Sequence, residues 1–493
     1  MLLAPFGVVL AAGALFTAFA PPASPIRTAY AVQLAALDPG EAYPGGRATT
    51  KRASANRNAF SQPSNGIGFE GKFNFKIGNA LFRKFWVASP ASTKSSDGLG
   101  PLYNSRSCQT CHLKDGRGHP PTANFPADDA VSMFLRLSIP PQTDEHRQLL
   151  KERRVNVIHE PTYGGQLQDL AVPGFDAEGR MHITYETVEV KLADGTRVML
   201  RKPTYEVRDL KHGPLHSQTM LSPRIAPQMI GLGLLDAIPD EAILANADPN
   251  DADGDGISGR PNEVWSLIDG RKAIGRFGWK AGNPNVHQQS AEAFAGDMGL
   301  STSLFPAPFG ECSAYQTACR NAHHGDDPAS NTPEITDQML ELVTFYSQNL
   351  AVPARRNPQD LKVRAGKSIF ANLGCASCHT PSFTTGKLAN NPHLSNQRIW
   401  PYTDLLLHDM GAGLADGRPE GVATGREWRT PPLWGIGLTQ TVSGHTFFLH
   451  DGRARNVEEA ILWHGGEAKS SRDAYAELSK ADREALLAFV NSL

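Results

Sequence analysis

The chain has 493 residues, 40% apolar and 20% charged, with a formal net charge of -2. That is ordinary globular composition, and the length suggests two to four domains. No long single-sign run appears, which argues against nucleic acid as a partner and leaves surface charge silent about substrate.

Along the chain, residues 2–20 are apolar and uncharged, and Ala29-Tyr30-Ala31 offers a small-x-small cleavage site. Residues 1–31 therefore read as a signal peptide for export to the periplasm. An uncleaved anchor is the alternative and the one expected route to a membrane, since the run only marginally reaches spanning length. Residues 32–65, rich in Gly, Pro, Ala, Asn and Arg, read as an extended N-terminal segment. Leu81, Phe82 and Phe85 at helical spacing predict a helix over 78–88.

A loop then delivers Cys108-Gln109-Thr110-Cys111-His112, and the pattern returns as Cys375-Ala376-Ser377-Cys378-His379. Two thiols three positions apart can reach both vinyl groups of one porphyrin, and the adjoining histidine then meets the iron. The expected cofactors are two covalently bound haems of the c type, with His112 and His379 as proximal ligands. A dithiol redox pair or half a zinc site are the alternatives. The first has no use for the histidine, and the second needs both pairs close together in the fold. Because c-type haem is attached outside the cytoplasm in bacteria, the leader and the motifs agree.

Between the motifs, 124–137 carries a weak helical pattern. Val188, Val190 and Leu192 then alternate, Asp194-Gly195 marks a turn, and Val198 and Leu200 resume the alternation. This predicts a β-hairpin flanked by Tyr185 and Tyr205. The stretch 224–235 is apolar and glycine-interrupted, consistent with close packing against a flat cofactor, and Pro239 opens a short helix through Asn246. Asp251, Asp253 and Asp255 before Gly256 match the first half of a calcium loop. Asn262 stands where the bidentate glutamate belongs, with Glu263 one later, so a metal-free Asp-Gly turn stays open. Cys312 and Cys319 suit a local disulfide in an oxidising compartment, or else a free buried pair. Thr332-Pro333 reads as a helix start, with Ile335, Met339, Leu342, Val343, Tyr346 and Leu350 on one face. Val363, Gly366 and Phe370 form a stripe leading into the second motif. Ser479 with Asp482 caps the last helix, from which Leu486, Val490 and Leu493 face inward.

The run from His450 to His464, together with the paired haem motifs, is similar to the bacterial di-haem cytochrome c peroxidase and MauG superfamily. The blocks 222–235, 253–262, 275–281 and 429–437 resemble its di-haem oxidoreductase branch more closely. The resemblance implies that His464, seven positions after Val457, is the second axial ligand of the His379 haem, where peroxidases carry Met and MauG carries Tyr. Met410 is the rival ligand, and a plain helix-end histidine the other reading. It also implies that Gln218 and Gln228 lie over the open face of the first iron as catalytic groups. An amide orients peroxide but cannot shuttle its proton, so Glu160, Glu186 or another carboxylate would substitute; glutamines that merely satisfy backbone groups are the alternative. His119, His146, His159 and His182 are further candidates at the first iron that no spacing separates. Trp279 lies off the superfamily's bridging position and reads as a core residue. Arg429 and Arg453 suit haem propionates.

The expected fold is mainly α: two cytochrome c-like haem domains with a β-hairpin insertion and long loops. Residues 66–330 form the N-terminal haem domain with the hairpin and the candidate Ca2+ loop, and 331–493 the C-terminal one. The resemblance implies an exported, peroxidase-like di-haem oxidoreductase. Peroxide would be reduced at the N-terminal haem, with electrons relayed by the C-terminal haem from a small donor such as cytochrome c or a cupredoxin. A protein substrate oxidised at long range is a variant, and a non-enzymatic electron-transfer cytochrome is the rival.

Overall fold

The computed structural model describes residues 35–50, 55–326, 332–388 and 390–493. The signal-peptide segment 1–31 lies outside them. The fold is mixed rather than mainly α, 30% helical and 17% strand, and its strands pair in two-stranded antiparallel sheets.

Part of the expected helix is strand. Met133–Ser138 pairs with Met220–Ile225, Met133 opposite Ile225 and Ser138 opposite Met220. Met133, Leu135 and Leu137 point into the core at every second position, a period-two signal that the wider window 124–137 diluted. The hairpin forms as Arg180–Lys191 and Arg197–Arg208, with Val188 opposite Leu200 and Val190 opposite Val198. It is longer than expected, so Tyr185 and Tyr205 lie within its strands. Its tip grips the C-terminal region: the Ala193 amide donates to the Ala476 carbonyl at 3.0 Å, and Asp194 pairs with Arg483 at 2.8 Å. Ile183, Leu192 and Leu200 share one core cluster with Val363, Phe370, Leu486 and Phe489.

The first helix is Gly68–Phe82 and ends before Phe85, which is 60% exposed. Gly78 falls inside it because Asp337–Gln348 crosses there; a Cβ would sit 2.2 Å from the Leu342 carbonyl. That second helix starts later than Thr332-Pro333 suggests. Residues 334 and 335 give their amides to Ser301, and Thr336 is the cap, accepting from the Met339 amide. Leu361–Asn372 and Lys480–Ser492 cross through Gly366 and pack Phe370 on Phe489, ring centroids 5.2 Å apart. Ser479 accepts from the Asp482 amide at 3.2 Å, as the sequence predicts.

The described residues before 66, 35–50 and 55–65, pack onto the body of the fold. Ala48 and Phe60 join the core, and Glu41 is fully buried. Its carboxylate accepts from Lys367 Nζ and Tyr402 Oη, each at 2.6 Å, and from Arg355. No helix of the described residues is long and apolar enough to cross a membrane.

Candidate functional site

Each Cys-x-x-Cys-His motif opens onto its own cavity. The first occupies the one-turn helix Cys108–Cys111 on the wall of a cavity of about 840 Å³. His112 leaves the helix with its Nδ1 2.8 Å from the Pro227 carbonyl. A carbonyl only accepts, so Nδ1 carries the proton and Nε2 keeps the lone pair a metal needs. Burial pulls this ring down to about 4, so it is neutral at pH 7. The second motif turns through Cys375–Ser377 after Gly374, whose φ of +79° starts the turn. His379 repeats the arrangement, with Nδ1 3.0 Å from the Tyr402 carbonyl and the ring pulled down to about 4 by burial. Its cavity measures about 190 Å³.

The alternatives for these cysteines fit poorly. All four thiols are free, and burial pushes Cys108 and Cys375 up to about 12, the opposite of a reactive dithiol. The two pairs line separate cavities, and no Cys or His belongs to a metal-ligand cluster among the described residues. Cys312 and Cys319 are disulfide-bonded, and Cys312 is on the wall of the larger cavity.

The sequence-predicted residues separate into those that reach a cavity and those that do not. His464 and Met410 both line the smaller one. His464 gives its Nδ1 proton to the Ala460 carbonyl at 2.7 Å, again leaving Nε2 with the lone pair. His408, two residues before Met410, is clamped between Asp404 and Glu467 at 2.7 Å each. Burial opposes its charge, but the Asp404 and Glu467 carboxylates prevail and raise it; an imidazolium has no lone pair to offer. Gln228 lines both cavities and donates to the Trp434 carbonyl at 2.7 Å. Gln218 does not join it: the side chain is exposed and bonded to Gln142 at 3.0 Å.

Neither suggested substitute for the missing glutamate is free. Glu160 closes a turn, accepting from the amides of Thr162, Tyr163 and His216; Glu186 lies out on the hairpin, 3.4 Å from Lys202. Of the four candidate histidines, only His159 is on the larger cavity's wall. Arg453 is spent on Asp451 at 2.8 Å and lines neither cavity, whereas Arg429 and Trp279 line both. In the acidic loop, the carboxylates of Asp248, Asp251 and Asp253 lie within 4.8 Å of one another. Asp255 turns instead to the Ile257 amide at 2.8 Å; sequence spacing misses Asp248 because it precedes the loop register.

The larger cavity also holds charge that no motif announced. Glu420 lies 2.8 Å from Arg224 and 2.6 Å from Arg418; burial opposes its ionisation, but the two guanidiniums hold it far below the carboxylate range. Glu292 faces Arg136 at 3.8 Å and accepts from Asn283. Burial pushes Asp297 up to about 6 against the pull of Arg136. In the smaller cavity Trp428 stacks on His450 at 3.7 Å.

A family model described as "Di-haem oxidoreductase, putative peroxidase" matches residues 41–493. No curated protein matches the chain. Among solved structures, one of hydrazine synthase from Kuenenia stuttgartiensis, pressurised with 20 bar xenon, aligns at 17% identity and a TM-score of 0.22. The alignment covers 38% of this chain and 64% of that one, less than two thirds of its length. A likeness that weak carries no argument.

Proposed function

The chain belongs to the di-haem oxidoreductase family, and from that premise we propose that it is an exported peroxidase-like enzyme carrying two covalently attached haems. One observation supports this above the rest. Two motif histidines, on two cavity walls, each commit Nδ1 to a backbone carbonyl and keep Nε2 for a metal. Two thiols on the cavity wall beside each histidine suit thioether attachment, and the smaller cavity's wall is mainly apolar, with the cations Arg117 and Arg429 on it, as a porphyrin with acidic edges requires. Haem, when bound, supplies the redox centre on which peroxide is reduced.

The chain's own residues divide the labour. In the smaller cavity His379 and His464 would both hold the iron of a bound haem, which would supply electron relay there. In the larger cavity the unassigned space takes peroxide. Gln228, tethered to Trp434, orients it without moving protons. Glu292 is the carboxylate positioned to take up and return peroxide's proton: Glu420 is locked between two guanidiniums, while Glu292 has only a 3.8 Å contact to Arg136 and the amide of Asn283. The disulfide Cys312–Cys319 supports an oxidising compartment such as the periplasm. The electron donor is a small cytochrome c or cupredoxin. The calcium expectation has narrower support, three clustered carboxylates with Asp255 turned away.

Purified mature protein tests this. Two haems added to the chain mass, a Soret band and a high-spin signal that responds to peroxide are expected, with E292Q slowing peroxide turnover but not haem loading. A bare-chain mass without Soret absorbance ends the proposal; two wholly low-spin haems that ignore peroxide would instead favour a pure electron carrier.

A further inference from the structure

The partition between the two cavities carries positive charge that the protein itself does not balance. Arg117 and Arg429 both belong to the walls of both cavities. Arg117 donates from Nε to the Phe447 carbonyl at 3.2 Å and from Nη2 to the Leu449 carbonyl at 3.1 Å. Arg429 donates from Nε to the Gly278 carbonyl at 3.0 Å and from Nη1 to the Thr430 carbonyl at 3.1 Å. Neither is ion-paired to a carboxylate among the described residues. Asp404, the acid that acts on Arg429 from a distance, is committed to His408 at 2.7 Å.

The other cavity arginines make the contrast plain. Arg224 and Arg418 share Glu420, Arg136 faces Glu292, Arg276 has Asp240 and Arg472 has Asp473. Among the described residues, the smaller cavity has no aspartate or glutamate on its wall. Carbonyl oxygens satisfy N–H groups but do not return the solvation energy a buried cation gives up, which is why buried guanidiniums are normally matched by an anion. Aromatic faces hold Arg117 in place, its guanidinium 5.3 Å from the Trp279 ring and 5.6 Å from Phe448.

We propose that Arg117 and Arg429 form a single two-faced cationic partition that binds the carboxylates of the groups held on both sides, so that each bound group feels charge placed on the other. The inference rests on the di-haem reading, in which propionates are those carboxylates. Both arginines act here as positioning residues. A guanidinium near either haem favours its reduced form, and one shared between two haems does so for both. Removing it should lower both reduction potentials together. A lysine keeps the charge, though without the planar fork.

The test is a spectroelectrochemical titration of full-length holoprotein, after haem has been counted per chain. R117M and R429M should each move both reduction waves to lower potential, while R117K and R429K leave both near wild type. A methionine variant that moves one wave alone, or neither, overturns the shared partition. Should the methionine variants fail to fold, the lysine variants decide: a shift confined to one haem in either of them overturns it equally. The two readings fail separately. Wild-type protein without haem sinks the proposed function, whereas two haems with independently responding waves sink only this inference.

Discussion

Replacing Glu41 with alanine would remove the carboxylate that pins the N-terminal segment to the region of the second Cys-x-x-Cys-His motif. Arg355, 1% exposed at its side chain, would keep only Ser492 at 2.7 Å and lose its counter-charge. Lys367, at 18% exposure, retains Asp38 at 3.6 Å, so its share is discounted. Breaking a buried pair costs about 3–5 kcal/mol, and an orphaned Tyr402 hydroxyl roughly 1 more. A loss of roughly 4–6 kcal/mol is expected, a large part of the stability of an ordinary domain. Urea unfolding followed by tryptophan fluorescence measures it. Because the Tyr402 carbonyl also fixes the His379 ring, the spectrum of the second haem should broaden in the same variant.

The pH dependence gives an independent check. Burial raises the Glu41 carboxyl, but Lys367, Tyr402 and Arg355 outweigh it and hold the group below its usual 4.5. A lowered folded value means that the stabilisation is complete above the unfolded value and is lost as pH falls through the folded one. The wild type should therefore lose stability below about pH 4.5, and E41Q should flatten that acid limb. A loss under about 1 kcal/mol in E41A, the level of an exposed pair, would refute the reasoning.

Lys280 and Asp416 are both fully buried, and the ammonium also donates to the carbonyls of Arg418 and Thr424 at 2.7 and 2.8 Å. Lys280→Met should cost about 3–5 kcal/mol in urea unfolding; an unchanged midpoint would mean that the 416–424 loop supports itself. Gly366→Ala places a Cβ 1.9 Å from the Ala485 carbonyl and should cost at least about 1–3 kcal/mol by forcing two helices apart, read as a lower thermal midpoint. Cys312→Ser should lose roughly 2–3 kcal/mol through the released loop, and dithiothreitol should destabilise the wild type but not this variant. His464→Ala should convert one low-spin haem to high spin while Met410→Leu leaves the spectrum alone; the reverse pattern gives the ligand position to Met410.

Features carried by local chemistry were legible in the sequence. Asp194-Gly195 between alternating valines defines a hairpin and Ser479 with Asp482 a helix start, while the five residues of each Cys-x-x-Cys-His motif mark a stretch that lines a cavity. What stayed hidden depends on contacts distant in sequence. Glu41 looks like any polar residue in a glycine-rich stretch until Arg355, 314 positions away, supplies its counter-charge. The Arg224–Glu420 pair spans 196 positions and leaves no periodic trace. Thr332 lost the cap to Thr336 because Ser301, far upstream, claimed the intervening amides. The resemblance places Gln218 ten residues before Gln228. That spacing holds only where the backbone path is the same, and here a turn and the strand Met220–Ile225 lie between, so the side chain ends in solvent.

The reach of the hairpin into the other half bears on whether the second haem region can be cut out as a stand-alone cytochrome. Ile183, Leu192 and Leu200 fill space that Phe370, Leu486 and Phe489 would otherwise leave to water. A fragment beginning near 331 would carry its own attachment motif yet present that raw apolar scar, inviting aggregation before any porphyrin arrived. Supplying the hairpin on a separate peptide would be the way to heal it. The two halves are thus parts of a single inheritance, to be transplanted together or not at all.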